Sequence, residues 1–94
     1  MIKKARKKPV EIEFIHFTDR EKGQEIIDWM DDVDSCMLQG MNGNPFIYIA
    51  TLEGSLKADI NDYVVRGVHG EFYAVKPDIF RKTYDILNED DTND

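Results

Sequence analysis

Phe46-Ile47-Tyr48-Ile49-Ala50-Thr51-Leu52 is the stretch that decides the fold. Its β-branched and aromatic residues pack well on a pleated surface and lose side-chain freedom in a helix, so it reads as a strand. Glu53-Gly54 supplies a two-residue hairpin turn, and Ser55 to Ala58 pairs back as a shorter strand. The same rhythm then repeats. Asn61-Asp62 is a turn, Tyr63 to Val68 a strand, His69-Gly70 a tight turn and Glu71 to Val75 another strand. Strands joined this closely run antiparallel, because a parallel return needs a long crossover.

Upstream, Val10-Glu11-Ile12-Glu13-Phe14 alternates strictly, which directs Val10, Ile12 and Phe14 to a core. Ile15 and Phe17 continue with the opposite parity, as in a strand covered on both faces. Thr18-Asp19-Arg20-Glu21 has the form of a capping box, with Thr18 as the cap and Glu21 reaching back to it. The helix that follows sets Ile26, Ile27, Met30 and Val33 on one stripe, with Trp29 at its edge, and fades near Asp34. Gly40 to Asn44 is a loop. At the other end Pro77 suits the first position of a short helix, with Asp78 in its first turn and Ile79 and Phe80 inward. Thr83 to Leu87 is expected to be a closing strand, and residues 88–94 a disordered acidic tail.

The expected fold is therefore α+β, in the order β-α-β-β-β-β-short helix-β. One long helix packs on an antiparallel, strongly curled sheet of five or six short strands. The length of 94 residues suits one domain over residues 1–87, with a basic arm at residues 1–8. A stability of about 5 kcal/mol is expected at this size, so a homodimer that hides leftover apolar surface would be an easy gain.

Charge and cysteine usage narrow the field. Residues 1–8 carry five bases and no acid, and the net charge of −7 leaves −12 on the rest. That field repels phosphate backbones, so nucleic acid is not an expected partner. No apolar run is long enough to span a membrane, and none follows the basic arm as a signal-peptide core would. The single cysteine, Cys36, points to a reducing cytoplasm. It stands among Val33, Met37 and Leu38, where a small buried hydrophobe is the expected role.

The residues offer little for catalysis, and no enzyme, metal or cofactor is expected. Zinc needs three or four ligands at recognisable spacing, and one cysteine with two distant histidines does not supply them. His69 and Glu71 could form an acid–base pair, though His69 reads better as an exposed turn residue, and His16 merely flanks the first strand. Asp31-Asp32-Val33-Asp34 lacks the glycine and terminal glutamate of a calcium loop.

The densest cluster is Asp62 to Val68, Gly70 to Tyr73, Lys76 to Phe80 and Thr83-Tyr84. One reading is a stabilising corner, with Tyr63, Phe72, Phe80 and Tyr84 as its core and Arg66 paired with Glu71 or Asp78. The other is a site: Arg66, Tyr73 and Lys76 converge on an anionic ligand or a partner, with Glu71 and Tyr63 beside them. These segments, with Lys7-Lys8-Pro9-Val10 before the first strand, resemble a family of small proteins of tailed phages and prophages. The chain departs from that pattern at Ile60-Asn61, where the family has Pro-Gly, and at Ala74-Val75, where it has Pro-Cys. The resemblance implies a phage gene expressed in the bacterial cytoplasm, and it brings no catalytic residue with it. The expected function is a phage accessory protein that binds a host or phage protein. Capture of a nucleotide-like anion comes second, and a structural homo-oligomerising module third.

Overall fold

The computed structural model describes residues 1–5, 10–31 and 34–87. In chain order the elements are β1 (Glu13–His16), α1 (Arg20–Met30), β2 (Cys36–Gln39), β3 (Pro45–Thr51), β4 (Gly54–Ala58), β5 (Tyr63–Arg66), β6 (Phe72–Val75) and α2 (Pro77–Thr83). The class is α+β and every strand pair is antiparallel, as the sequence implies. The strands do not form one strongly curled sheet. They form two three-stranded sheets, ordered β1-β5-β6 and β2-β3-β4.

The division arises at the turn after β4. Asp62 N–H donates to Asp59 O at 3.0 Å, and Asn61 occupies the left-handed region at φ 82°. Asparagine tolerates that backbone because its side chain is short and polar. Phe17 N–H then donates to Asp62 O at 2.9 Å, and Asn61 N–H to Phe17 O at 2.7 Å. The turn is thereby fastened to the end of β1, so β5 pairs with β1 and leaves β4 without it.

Neither helix is long. α1 has eleven residues and begins at a cap formed by Asp19, whose side chain accepts from Lys22 N–H. Asp19 takes the cap in place of Thr18, which shifts the frame by one residue and puts Lys22, not Glu21, at the third helical position. No capping box closes. The helix ends at Asp31, which lies at φ 50° and donates its N–H to Ile27 O. Val33, expected on the apolar stripe, and residues 88–94, expected to form a tail, lie outside the described residues. Ile26 and Met30 are buried against Phe17, Ile47, Ile49, Ala58 and Val64. Gly23 lies in the same contact, where a Cβ would meet Met37 Sδ at 2.5 Å and Phe17 Cε1 at 2.9 Å.

Sheet β1-β5-β6 is covered on both faces. Val64 points to the α1 core, while Tyr63 and Val65 point to a second core with Phe80. α2 builds that second core. Pro77 stands at its first turn, Asp78 follows, and Phe80 is fully buried. Ile79 is 53% exposed, because its neighbour Phe80 takes the one inward direction this short helix has. Thr83 to Leu87 forms no strand: Thr83 ends α2, and Tyr84 and Ile86 lie against the Phe80 core.

Smaller corrections follow the same logic. Cys36-Met37-Leu38-Gln39 contains no β-branched residue, and the sequence gives it no strand, yet it forms β2 by pairing with β3. Alternation then turns Met37 inward and Cys36 outward, so the cysteine is exposed and not buried. Thr51 pairs with Gly54, which moves the hairpin turn to Leu52-Glu53. Gly54 has φ 138°, a conformation open to glycine. The first strand starts at Glu13, and Val10 is 55% exposed.

Candidate functional site

The five residues singled out in the sequence do not form one site. In β5, Tyr63 and Val65 point to the α2 side and Arg66 to the other, because neighbours on a strand alternate. Tyr73 stands opposite Val65, so it shares the α2 face, and Arg66 does not. Arg66 reaches across the ladder to Glu13, Nη1 to Oε1 at 3.4 Å, and not to Glu71 or Asp78. Tyr73 Oη lies 3.2 Å from Tyr84 Oη. Burial first, and this contact second, push the Tyr73 phenol up to about 12, which removes it from acid–base work near neutrality. Tyr63 is buried in a stack, 4.1 Å from the His16 ring and 4.0 Å from Phe80, with both pairs tilted by only 3°. Phe72, expected in that corner, is on the opposite face and meets Trp29 edge-on at 5.1 Å.

Lys76 is committed to structure. Its ammonium donates to Asp62 Oδ2 at 3.1 Å and to Asp59 Oδ2 at 3.4 Å. The Asp62 hydrogen bonds lead among the causes that raise the lysine above its ordinary value. Asp62 is 2% exposed and also accepts the Asp59 N–H at 2.8 Å. The carboxylate thus ties the turn before β5 to the start of α2.

His16 offers a second structural role with a pH signature. Its Nε2 lies 3.1 Å from Asn61 O, and burial lowers its pKa below 6.5, the Asn61 bond opposing and the Arg81 charge assisting. The unfolded chain takes up this proton first. Stability should therefore hold above pH 6.5, fall as pH drops below it, and level off below the folded pKa. We expect His16→Phe, which keeps an aromatic ring against Tyr63, to flatten this part of the fall. Melting temperatures of both proteins between about pH 8 and pH 5 check it, and identical slopes would remove His16 from the account.

The concave feature of interest lies where the two sheets meet. β4 and β6 approach each other, and each is the end strand of its sheet. Between the β3–β4 hairpin and the start of β6 opens a cleft of ≈ 920 Å³. Met30, Ile49 and Phe72 line it from the core, and Leu52 and Leu56 from the surface. Asp34, Glu53 and Glu71 also line it, and among the described residues no lysine or arginine does. Of the five expected residues, Glu71 and Tyr73 border this cleft, while Tyr63, Arg66 and Lys76 do not. Leu52 is the residue the sequence reading missed. Its residue type reads as the end of a strand, whereas it stands 105% exposed at the hairpin tip.

His69 and Glu71 both reach the cleft, but as parts of a turn. Gly67 N–H donates to Glu71 O at 2.7 Å and Gly70 N–H to Gly67 O at 3.0 Å, with Gly70 at φ 81°. The Glu71 carboxylate accepts from the backbone N–H of His69 at 2.9 Å, which locks the turn. Among the described residues no group of three or more His, Cys, Asp or Glu could hold a metal ion, and no helix is long and apolar enough to cross a membrane. No family model, curated protein or solved structure matches the chain.

Proposed function

We propose that this chain is a phage or prophage accessory protein that acts in the bacterial cytoplasm by binding a host or phage protein. The phage origin rests on the resemblance of residues 62–84. The observation that carries the binding reading is the cleft between two end strands, with exposed Leu52 and Leu56 beside it. Exposed apolar side chains next to unpaired strand edges are the usual equipment of a protein-binding groove. Among the described residues an anion would meet carboxylates there and no lysine or arginine. Arg66 and Lys76 are held in ion pairs away from the cleft, and Tyr73, at its border, lies against the Tyr84 hydroxyl.

The test is a pull-down from host lysate with the wild-type chain and Leu52→Glu as parallel baits. Leu52 is fully exposed, so the variant should melt like the wild type. One stoichiometric protein held by the wild type and lost by Leu52→Glu is the expected result. Equal capture by both baits would move the binding surface away from the cleft. Failure to capture any protein would count against the reading as a whole.

A further inference from the structure

We infer that the cleft takes a basic, extended segment of the partner protein, which adds as a strand along the free edge of β4. The inference rests on the binding reading above and names the partner's chemistry. Three observations support it. β4 pairs only with β3, on one side, so its other edge offers backbone groups with no ladder partner among the described residues. Gly54, Ser55 and Leu56, which begin β4, are exposed, and Lys57, the one lysine of the strand, is drawn to Asp59 at 3.5 Å. Gly54 and Gly70 both line the cleft, and space is open where either would carry a Cβ, so a second backbone can approach closely.

Charge selects among extended segments. Among the described residues the lining carries Glu53 and Glu71 and no lysine or arginine, on a chain of net charge −7. A strand that alternates apolar and basic residues can turn one set to Met30, Ile49 and Leu56 and the other to these carboxylates. A helix about 10 Å across keeps its backbone bonded internally and would leave the β4 edge unused. An acidic or phosphorylated segment would be repelled.

Three acetylated heptapeptides test this: alternating Lys-Val, alternating Glu-Val, and alternating Lys-Pro, which keeps the charge but lacks half the backbone donors. Affinity is read by titration, and the site by amide exchange at residues 54–56. Expected are binding of Lys-Val alone, slowed exchange along β4, and weakening by added salt. The variant Glu53→Lys/Glu71→Gln should lose about tenfold in affinity. Glu53 is exposed, and glutamine at position 71 can still accept the His69 N–H, so the fold should survive. Binding of Lys-Pro as tight as Lys-Val would overturn strand addition, and binding of Glu-Val as tight as Lys-Val would overturn the basic preference. No binding of Lys-Val, beside a protein captured in a Leu52-dependent way, would sink this inference and leave the binding reading standing. Strong Lys-Val binding with no protein captured from any lysate would count against the binding reading and leave only the β4 edge as a place where a basic strand adds.

Discussion

Phe80→Ala is expected to destabilise the chain by about 3–5 kcal/mol, the usual cost of removing a large buried aromatic ring. Phe80 is fully buried, stacks on Tyr63 at 4.0 Å, and touches Phe14 at 4.8 Å and Tyr84 at 5.0 Å. It is the one buried residue of α2. Without its ring the helix has little to hold it against the sheet, and the other face of Tyr63 and Val65 opens to water. Against a total of about 5 kcal/mol, that loss leaves about 0–2 kcal/mol, so the variant is marginal, with up to about half of it unfolded in dilute buffer. Phe80→Leu keeps most of the apolar volume and should cost less, about 1–2 kcal/mol. Urea unfolding followed by Trp29 fluorescence is the measurement, because Trp29 lies in the other core. Its transition should move with the mutation if the two cores unfold together. A wild-type midpoint for Phe80→Ala would mean that α2 contributes nothing to the fold.

Asp62→Ala carries the second large effect, about 2–3 kcal/mol, because it removes hydrogen bonds to a buried charged group and leaves their donors behind. The Asp59 N–H loses its acceptor, and Lys76 loses the closer of its two carboxylates. Asp62→Asn should cost less, since an amide oxygen can still accept the Asp59 N–H. The two variants separate turn-capping from charge. If asparagine were as damaging as alanine, the Lys76 pair would dominate; if Asp62→Ala unfolded at the wild-type denaturant concentration, the node would have no structural weight. The coupling between Asp62→Ala and Lys76→Ala, measured as a double-mutant cycle, gives the pair's share directly.

This node also explains why the division into two sheets is not legible in the sequence. Asn61-Asp62 is legible as a turn, and Tyr63 to Val75 as two strands, from residue type alone. Which strand β5 joins is not legible, because it depends on bonds between Phe17 and the turn, 44 and 45 residues away in sequence. A meander read hairpin by hairpin keeps β5 beside β4. The structure places it beside β1, and that choice creates the cleft. The cleft is therefore invisible in the sequence, even though Glu71 and Tyr73 border it. Arg66 and Lys76 lie close in the chain, but Arg66 faces Glu13 across the β1–β5 ladder while Lys76, at the start of α2, pairs with Asp62. β2 was missed for another reason. Cys36 to Gln39 has no local preference for a strand and becomes one only by pairing with β3.

What the sequence determined by itself was local: the α+β class, the antiparallel pairing, the strand character of residues 46–51, the short helix opened by Pro77 and the inward Phe80. Each follows from backbone preference and apolar period over a few residues, and these act at short range. What only the tertiary structure decided was the division into two sheets, the second core under α2, the outward turn of Cys36 and the cleft beside β4. Those depend on contacts between residues far apart in the chain, where burial and hydrogen-bond satisfaction are settled jointly and no local propensity has a voice.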